Sequence, residues 1–240
     1  AVPKGEEQPA RVVDNNDPTG GGRIRVQFPW QEDKGQKTPW IRLIQPHSGA
    51  GKGFHFIPEI GEEVLVGHES QNAEKPFVMG THYNGSETSS YHTSGNDKKV
   101  IHTRSGTKII LNDAEGSVFI EDPSGNTYLM DGQGNINVNA PKNMSFTAGE
   151  NVLINAGNNI VASAQKNVNI LAGEDITETA NDDYNLTASN IIETAEVGSS
   201  MAKKITENMQ SGAYISTKDA INVESAKEVN VNSGKQVKMQ

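Results

Sequence analysis

From residue 134 onward, apolar residues return at every eighth position along the chain. Written in octads, the segment reads GNINVNAP, KNMSFTAG, ENVLINAG, NNIVASAQ, KNVNILAG, EDITETAN, DDYNLTAS and NIIETAEV; after a five-residue insertion at 198–202 it resumes as KKITENMQ, SGAYISTK, DAINVESA and KEVNVNSG. The third position holds Ile136, Met144, Val152, Ile160, Val168, Ile176, Tyr184 and Ile192, then Ile205, Ala213, Ile221, Val229 and Val237. The fifth often adds Val138, Ile154, Ile170 or Leu186, and the seventh is usually Ala, as at Ala140, Ala148 and Ala156. Successive side chains of a strand alternate sides, so positions three, five and seven share one face. Positions eight, one and two carry Gly, Asn, Asp and charged residues, as in Gly149-Glu150-Asn151, which tolerate a sharp bend. Each octad therefore predicts one short strand and one corner.

A repeat this short cannot cover its own apolar face and needs neighbours. One chain coiling alone, at about 24 residues per turn, is the solenoid alternative. Three chains winding together remove the sheet edges and suit the small interior residues and the hydrophobic fraction of 34%. The intertwined trimer is the expectation, with a core of Ile136, Met144, Val152, Ile154, Ile160, Val168, Ile170, Ile176, Ile192, Ile221, Val229 and Val237. With strands ~4.8 Å apart, twelve octads give a shaft of roughly 60 Å. Two carboxylates, Glu178 and Glu207, break the inward pattern at position five, which predicts outward rotation or a wet, widened shaft, with an axial ion as second choice. The insertion at 198–202 is expected to bulge or shift the register.

Upstream the pattern is different. Residues 1–9 read as a linker remnant, and 10–83 carry short β-type runs at 23–28, 40–45, 63–67 and 77–81 between turn clusters at 14–22 and 49–53, which fits a small barrel. Residues 84–99 form a Ser/Thr/Gly/Asn-rich connector. Residues 100–133 alternate around glycine-containing turns, as longer strands of a neck would, and lead into the octads of 134–240. The fold class is thus all-β, a small barrel followed by an intertwined triple-stranded β-helix.

Charge and chemistry narrow the function further. A net charge of −9 opposes nucleic acid or an anionic membrane surface as an electrostatic partner, and there is no cysteine for disulfides or thiolate metal sites. No apolar run approaches the ~18 to 20 residues that span a bilayer. Of the six histidines, His47 and His55 are close enough to share a loop, but no carboxylate accompanies them in ligand-like order. The carboxylate pairs Asp14/Asp17 and Glu59/Glu62 read as turn and surface residues. Trp30, Trp40, Phe54, Phe56, Arg23, Arg25, Arg42 and Lys52 could line a nucleic-acid groove, but packing accounts for them more simply. No catalytic, cofactor or metal residue is assigned, and no nucleic-acid partner. The alternative function is a carbohydrate-active, tail-associated β-solenoid hydrolase.

The stretch Val12-Val13-Asp14-Asn15-Asn16-Asp17-Pro18 and then Gly22-Arg23-Ile24-Arg25-Val26-Gln27-Phe28-Pro29-Trp30 resembles the VgrG spike proteins of bacterial type VI secretion and their contractile-phage relatives. Trp40-Ile41-Arg42, Gln45-Pro46, Gly49-Ala50-Gly51, Phe56-Ile57-Pro58, Gly61-Glu62-Glu63-Val64, Pro76, Gly80 and Tyr83-Asn84 follow in order. The resemblance implies an oligonucleotide/oligosaccharide-binding (OB) barrel and a triple-stranded β-helix. It further implies a homotrimer at the tip of a contractile injection machine that pierces membranes mechanically rather than catalysing a reaction. It implies a tail-tube partner reached through an N-terminal hub outside this sequence, and a PAAR-type tip protein or effector cargo at the C-terminal end. Contact with the target membrane would be transient, after assembly in the bacterial cytoplasm and translocation outward. No inserted lysozyme domain and no appended effector domain are expected.

Overall fold

The computed structural model describes residues 3–192 and Lys227, in two compact units, Ala1–Asn158 and Asn159–Gln240. The first unit opens with a five-stranded sheet in the order β2-β1-β6-β7-β3. Its strands are β1 (Gln8–Asp14), β2 (Arg25–Gln27), β3 (Arg42–Leu43), β6 (Glu63–His68) and β7 (Pro76–Thr81), with a two-stranded hairpin, β4 (Ser48–Gly49) and β5 (Lys52–Gly53), between them. A short helix α1 (Pro29–Glu32) follows β2. The sheet curls until its edges meet at one bridge, where Ile24 and Ile41 exchange both backbone hydrogen bonds at 3.1 and 2.9 Å.

The barrel core follows from period-two alternation. Ala10 and Val12, then Ile24, Val26 and Phe28, then Val64 and Val66 point inward and meet Ile41 and Val78, all of them buried. Two polar side chains are buried with them because the ladder is short. Thr38 Oγ1 accepts the Val26 N–H at 3.0 Å, and Gln31 Oε1 accepts the Phe28 N–H at 3.1 Å, so neither donor is orphaned. The strand begins at Gln8, and residues 3–5 also pair, through Gly5 N–H to Gln71 O and Ala73 N–H to Pro3 O.

The second sheet is an antiparallel meander in the order β12-β11-β10-β9-β8. It comprises β8 (Lys98–His102), β9 (Lys108–Asn112), β10 (Ser117–Glu121), β11 (Thr127–Met130) and β12 (Ile136–Asn139). Its last two turns repeat one device. Asp122 accepts the N–H groups of Ser124 and Asn126 and the Asn126 amide, and Asp131 does the same for Gln133 and Asn135. This turn chemistry folds the first octad back onto β11, with Ile136 opposite Met130 and Val138 opposite Tyr128. The sheet therefore runs from the neck into the first octad.

Beyond β12 the described residues form no strand, but the chain bends at regular places. In the first unit the bends fall at 141–142, 149–150 and 157–158; in the second at 165–166, 173–174, 181–182 and 189. These are positions eight and one of successive octads, where Gly, Asn, Asp and charged residues were expected to make corners. The insertion at 198–202, Glu207, Ile221, Val229 and Val237 lie outside the described residues.

Candidate functional site

The register of the meander sorts its side chains into two unlike faces. On one, Val100, Ile110, Phe119 and Leu129 form a single half-buried row, flanked by the Lys108–Glu121 ion pair at 2.5 Å and by His102, whose Nδ1 lies 2.9 Å from the Tyr91 hydroxyl of the connector. On the other, two rows run across all five strands. They are Ile101, Ile109, Ile120, Tyr128 and Val138, and Lys99, Leu111, Val118, Met130 and Ile136. The only charge on that face, Lys99, reaches sideways to Asp113 at 2.7 Å. Ile101, Leu111, Ile120, Ile136 and Val138 are exposed there, Ile136 at 58%.

The octads extend this pattern of uncovered apolar positions. Met144, Val152 and Ile154 in the first unit, and Ile160, Val168, Ile170, Ile176 and Ile192 in the second, are all exposed in the single chain. Position three is the more sheltered side in the three octads from 150 to 173, although not in the last described one, where Ile192 exposes 81% and Ile191 51%. Val152, Ile160 and Val168 expose 59%, 63% and 61%, whereas the apolar residues pointing the other way, Leu153, Val161 and Leu171, expose 83%, 85% and 93%. Glu178, the exception at position five, accepts a hydrogen bond from the Tyr184 hydroxyl at 2.6 Å, and this bond raises the Tyr184 pKa above its ordinary value.

The residues considered for chemistry are engaged as structural partners. Arg23 clamps Asp17 with Nε and Nη2, both at 2.8 Å, which holds the Asp17 carboxyl well below the usual carboxylate range. Glu62 accepts the Glu59 N–H at 2.8 Å, and Glu59 pairs with Arg104 at 3.0 Å, so the barrel is tied to the loop after β8. Trp30 stacks on Phe28 at 5.4 Å, and Arg25 lies 4.8 Å over the Trp40 ring. His55, Lys52, Phe54 and Arg42 line an open cleft of about 610 Å³, and Arg42 is ion-paired with Glu69. His47 does not line this cleft with His55. Among the described residues no three of His, Asp and Glu gather as a metal-ion ligand set.

Residues 8–83 match a family model described as the type VI secretion system/phage-baseplate injector OB domain. The chain is similar to the type VI secretion system spike protein VgrG2a of Pseudomonas aeruginosa, 35% identical over 85 residues, which is 34% of this chain and 10% of that protein. The spike protein VgrG1c of the same species is 32% identical over 90 residues, 36% of this chain and 12% of that protein. The actin cross-linking toxin VgrG1 of Vibrio cholerae is 33% identical over 73 residues, 29% of this chain and 7% of that protein. The chain thus spans about a tenth of the length of the relatives it matches.

Proposed function

We propose, from a barrel at residues 8–83 that belongs to the type VI secretion system/phage-baseplate injector OB-domain family, that this chain is part of a VgrG-type spike of a contractile injection apparatus. Three copies wind their octads into a triple-stranded β-helix, and the resulting needle pierces the target membrane mechanically. The observation that carries the reading is the continuity of one apolar surface. Ile136 and Val138 are positions three and five of the first octad, and the β11–β12 register sets them on the meander face that carries the two apolar rows. The uncovered sheet face and the face of the first octad that carries positions three and five are therefore the same, and a single partner type can cover both.

Further copies of the chain fit that requirement. A strand needs neighbours at ~4.8 Å, and an octad that turns a corner every eight residues cannot bring its own next strand to that distance on the same face. Burying an Ile, Leu or Val side chain stabilises by about 1.5–3 kcal/mol, so covering both rows and the octad positions offsets the ordering of the chains. The core comprises Ile136, Met144, Val152, Ile154, Ile160, Val168, Ile170, Ile176 and Ile192 of each copy, continuing through Ile221, Val229 and Val237. The barrel, residues 10–83, and the connector, 84–99, sit before the neck at 100–133 and the shaft at 134–240.

The partners in this reading are the tail tube, through a hub preceding the barrel, and a PAAR-type tip protein or effector at the far end. The spike is assembled in the cytoplasm and translocated outward. The hydrolase alternative gains no support from the comparisons, in which the similar proteins are named as spike proteins and an actin cross-linking toxin. Light scattering coupled to gel filtration tests the proposal. A mass three times the chain's 25.8 kDa at micromolar concentration is expected, and a compact single chain would overturn it.

A further inference from the structure

A repeat that matches itself every eight residues leaves one freedom open. If three copies intertwine, sliding one of them by a whole octad keeps every side chain on its own face, because eight is even, and still sets apolar against apolar. At position three the exchange is Ile160 for Val168 or Val168 for Ile176, which an apolar layer barely distinguishes. Something that does not repeat has to fix the register along the shaft. Glu178 and Tyr184 are such a feature. Position five is otherwise Val138, Phe146, Ile154, Ala162, Ile170 or Leu186 in the octads up to residue 189, and none of their other third positions carries a hydroxyl. The Tyr184 hydroxyl reaches around the bend at 181–182 to donate to Glu178 Oε2 at 2.6 Å, joining position five of one octad to position three of the next.

We infer that the Glu178–Tyr184 pair is a register lock, a polar layer that recognises the same layer in the other copies of this chain and forbids a slip of one octad. The inference rests on the trimeric reading above. In register, the three hydrogen-bonded pairs fall at one level and share one hydrated polar volume. After a slip of one octad, a carboxylate from one copy meets Ile170 or Leu186 of its neighbours. A desolvated carboxylate beside apolar groups is costly, so the mismatched register is disfavoured even where the apolar layers of the octads from 142 to 173 accept it. Single polar positions inside an apolar repeat fix register in the same way in coiled coils, at some cost in stability.

The absence of cysteine in the chain makes the test direct. In an intertwined trimer each face stacks the three chains in turn, so an octad lies ~4.8 Å from the next octad of a neighbouring chain and ~9.6 Å from the one after that. Ala164→Cys and Ala180→Cys alter position seven of two octads that are two apart. Placed on differently tagged, co-expressed full chains, these thiols are beyond the ~7 Å Cα limit for a disulfide when in register, and within it after a slip of one octad. Little mixed disulfide is expected in the otherwise native sequence, and at least tenfold more when Glu178→Val and Tyr184→Phe are added to both copies.

A second variant moves the lock. Ile170→Glu with Ile176→Tyr, in the Glu178→Val and Tyr184→Phe background, is placed only on the copy that carries Ala164→Cys. Matching this shifted pair to the unmodified pair of its neighbours requires a slip of one octad, and the mixed disulfide should become the major product. A mass of three chains with equally little mixed disulfide in every variant overturns the lock. A mass of one chain overturns the trimeric reading instead.

Discussion

The barrel and the octads use the same alternation of apolar and polar residues and reach opposite ends of burial. In the barrel, Val12, Ile24, Val26, Val64, Val66 and Val78 are sealed from solvent by strands of the same chain, because loops between them let the sheet curl until Ile24 meets Ile41. In the octads, Val152, Ile160 and Val168 leave more than half of their surface uncovered. Alternation declares which face will be buried, and the distance between bends decides whether the same chain can bury it. A unit that bends every eight residues sends the next strand to a different face, so the strand beside it must come from a later coil of the same chain or, in the reading proposed above, from another copy.

The sharpest way to break this comparison is to put a charge on the uncovered face. Val152→Asp is expected to abolish assembly, because the proposed threefold arrangement would bring three carboxylates into one core at several kcal/mol each. The neighbouring Asn151→Asp should leave the trimer intact, since it adds a charge at a corner where Asp175 and Asp183 already stand. The trimer fraction at matched concentration, measured by light scattering, distinguishes the two. Equal tolerance of both would mean that position three does not face a shared core. The barrel should answer differently. Ile24→Ala removes a fully buried side chain from a core made within one copy, and should cost about 2–5 kcal/mol without changing the mass in solution. A loss of trimer from Ile24→Ala would erase the distinction between the two regions.

Much of this was legible in the residues. The octad corners fall where Gly, Asn and Asp cluster, and the runs at 63–67 and 77–81 became β6 (Glu63–His68) and β7 (Pro76–Thr81). Other elements gave weaker local signals. The strand β1 (Gln8–Asp14) opens with Gln8, Pro9 and the small Ala10, so its inward pair of Ala10 and Val12 does not stand out before Val12. The helix α1 (Pro29–Glu32) is too short for a helical period to appear, and only Pro29 at its start marks it. The exception at Glu178 could be read from the repeat, but its partner Tyr184 could not, because the two meet around a bend. Nor does periodicity show that the first octad pairs with β11. The Asp131–Asn135 turn contact decides that, and it repeats the Asp122–Asn126 pattern upstream.

Those turns provide a milder test of what holds the meander together without help from other copies. The Asp122 carboxyl is held at about 2, below its ordinary 3.8, chiefly by hydrogen bonds from the Ser124 and Asn126 side chains. A depressed folded pKa contributes stability that is present above the unfolded value and lost as the pH falls through the folded one. Asp122→Ala should therefore lower the thermal midpoint of the meander at neutral pH, and the difference from the native chain should shrink as the pH is taken from about 4 to about 2. A difference independent of pH over that range would show that the turn is held by its glycine and proline, not by the carboxylate.

The smallest expected effect concerns the link between barrel and meander. Arg104, in the loop after β8, meets Glu59, in the loop before β6, at 3.0 Å, with the Arg104 side chain 80% exposed. Exposed ion pairs contribute about 0.2–1 kcal/mol and weaken with salt, so this contact cannot hold the two sheets together alone. It can still set their coupling. A double-mutant cycle of Arg104→Ala and Glu59→Ala, read from thermal or denaturant unfolding, isolates the pair from the separate effect of truncating each side chain. A coupling of a few tenths of a kcal/mol that disappears by about 1 M salt, where the screening length is about 3 Å, is expected. A coupling several times larger and insensitive to salt would mean that barrel and meander form one cooperative body. The line between self-contained and partner-dependent burial would then move from the end of the barrel to the end of β12.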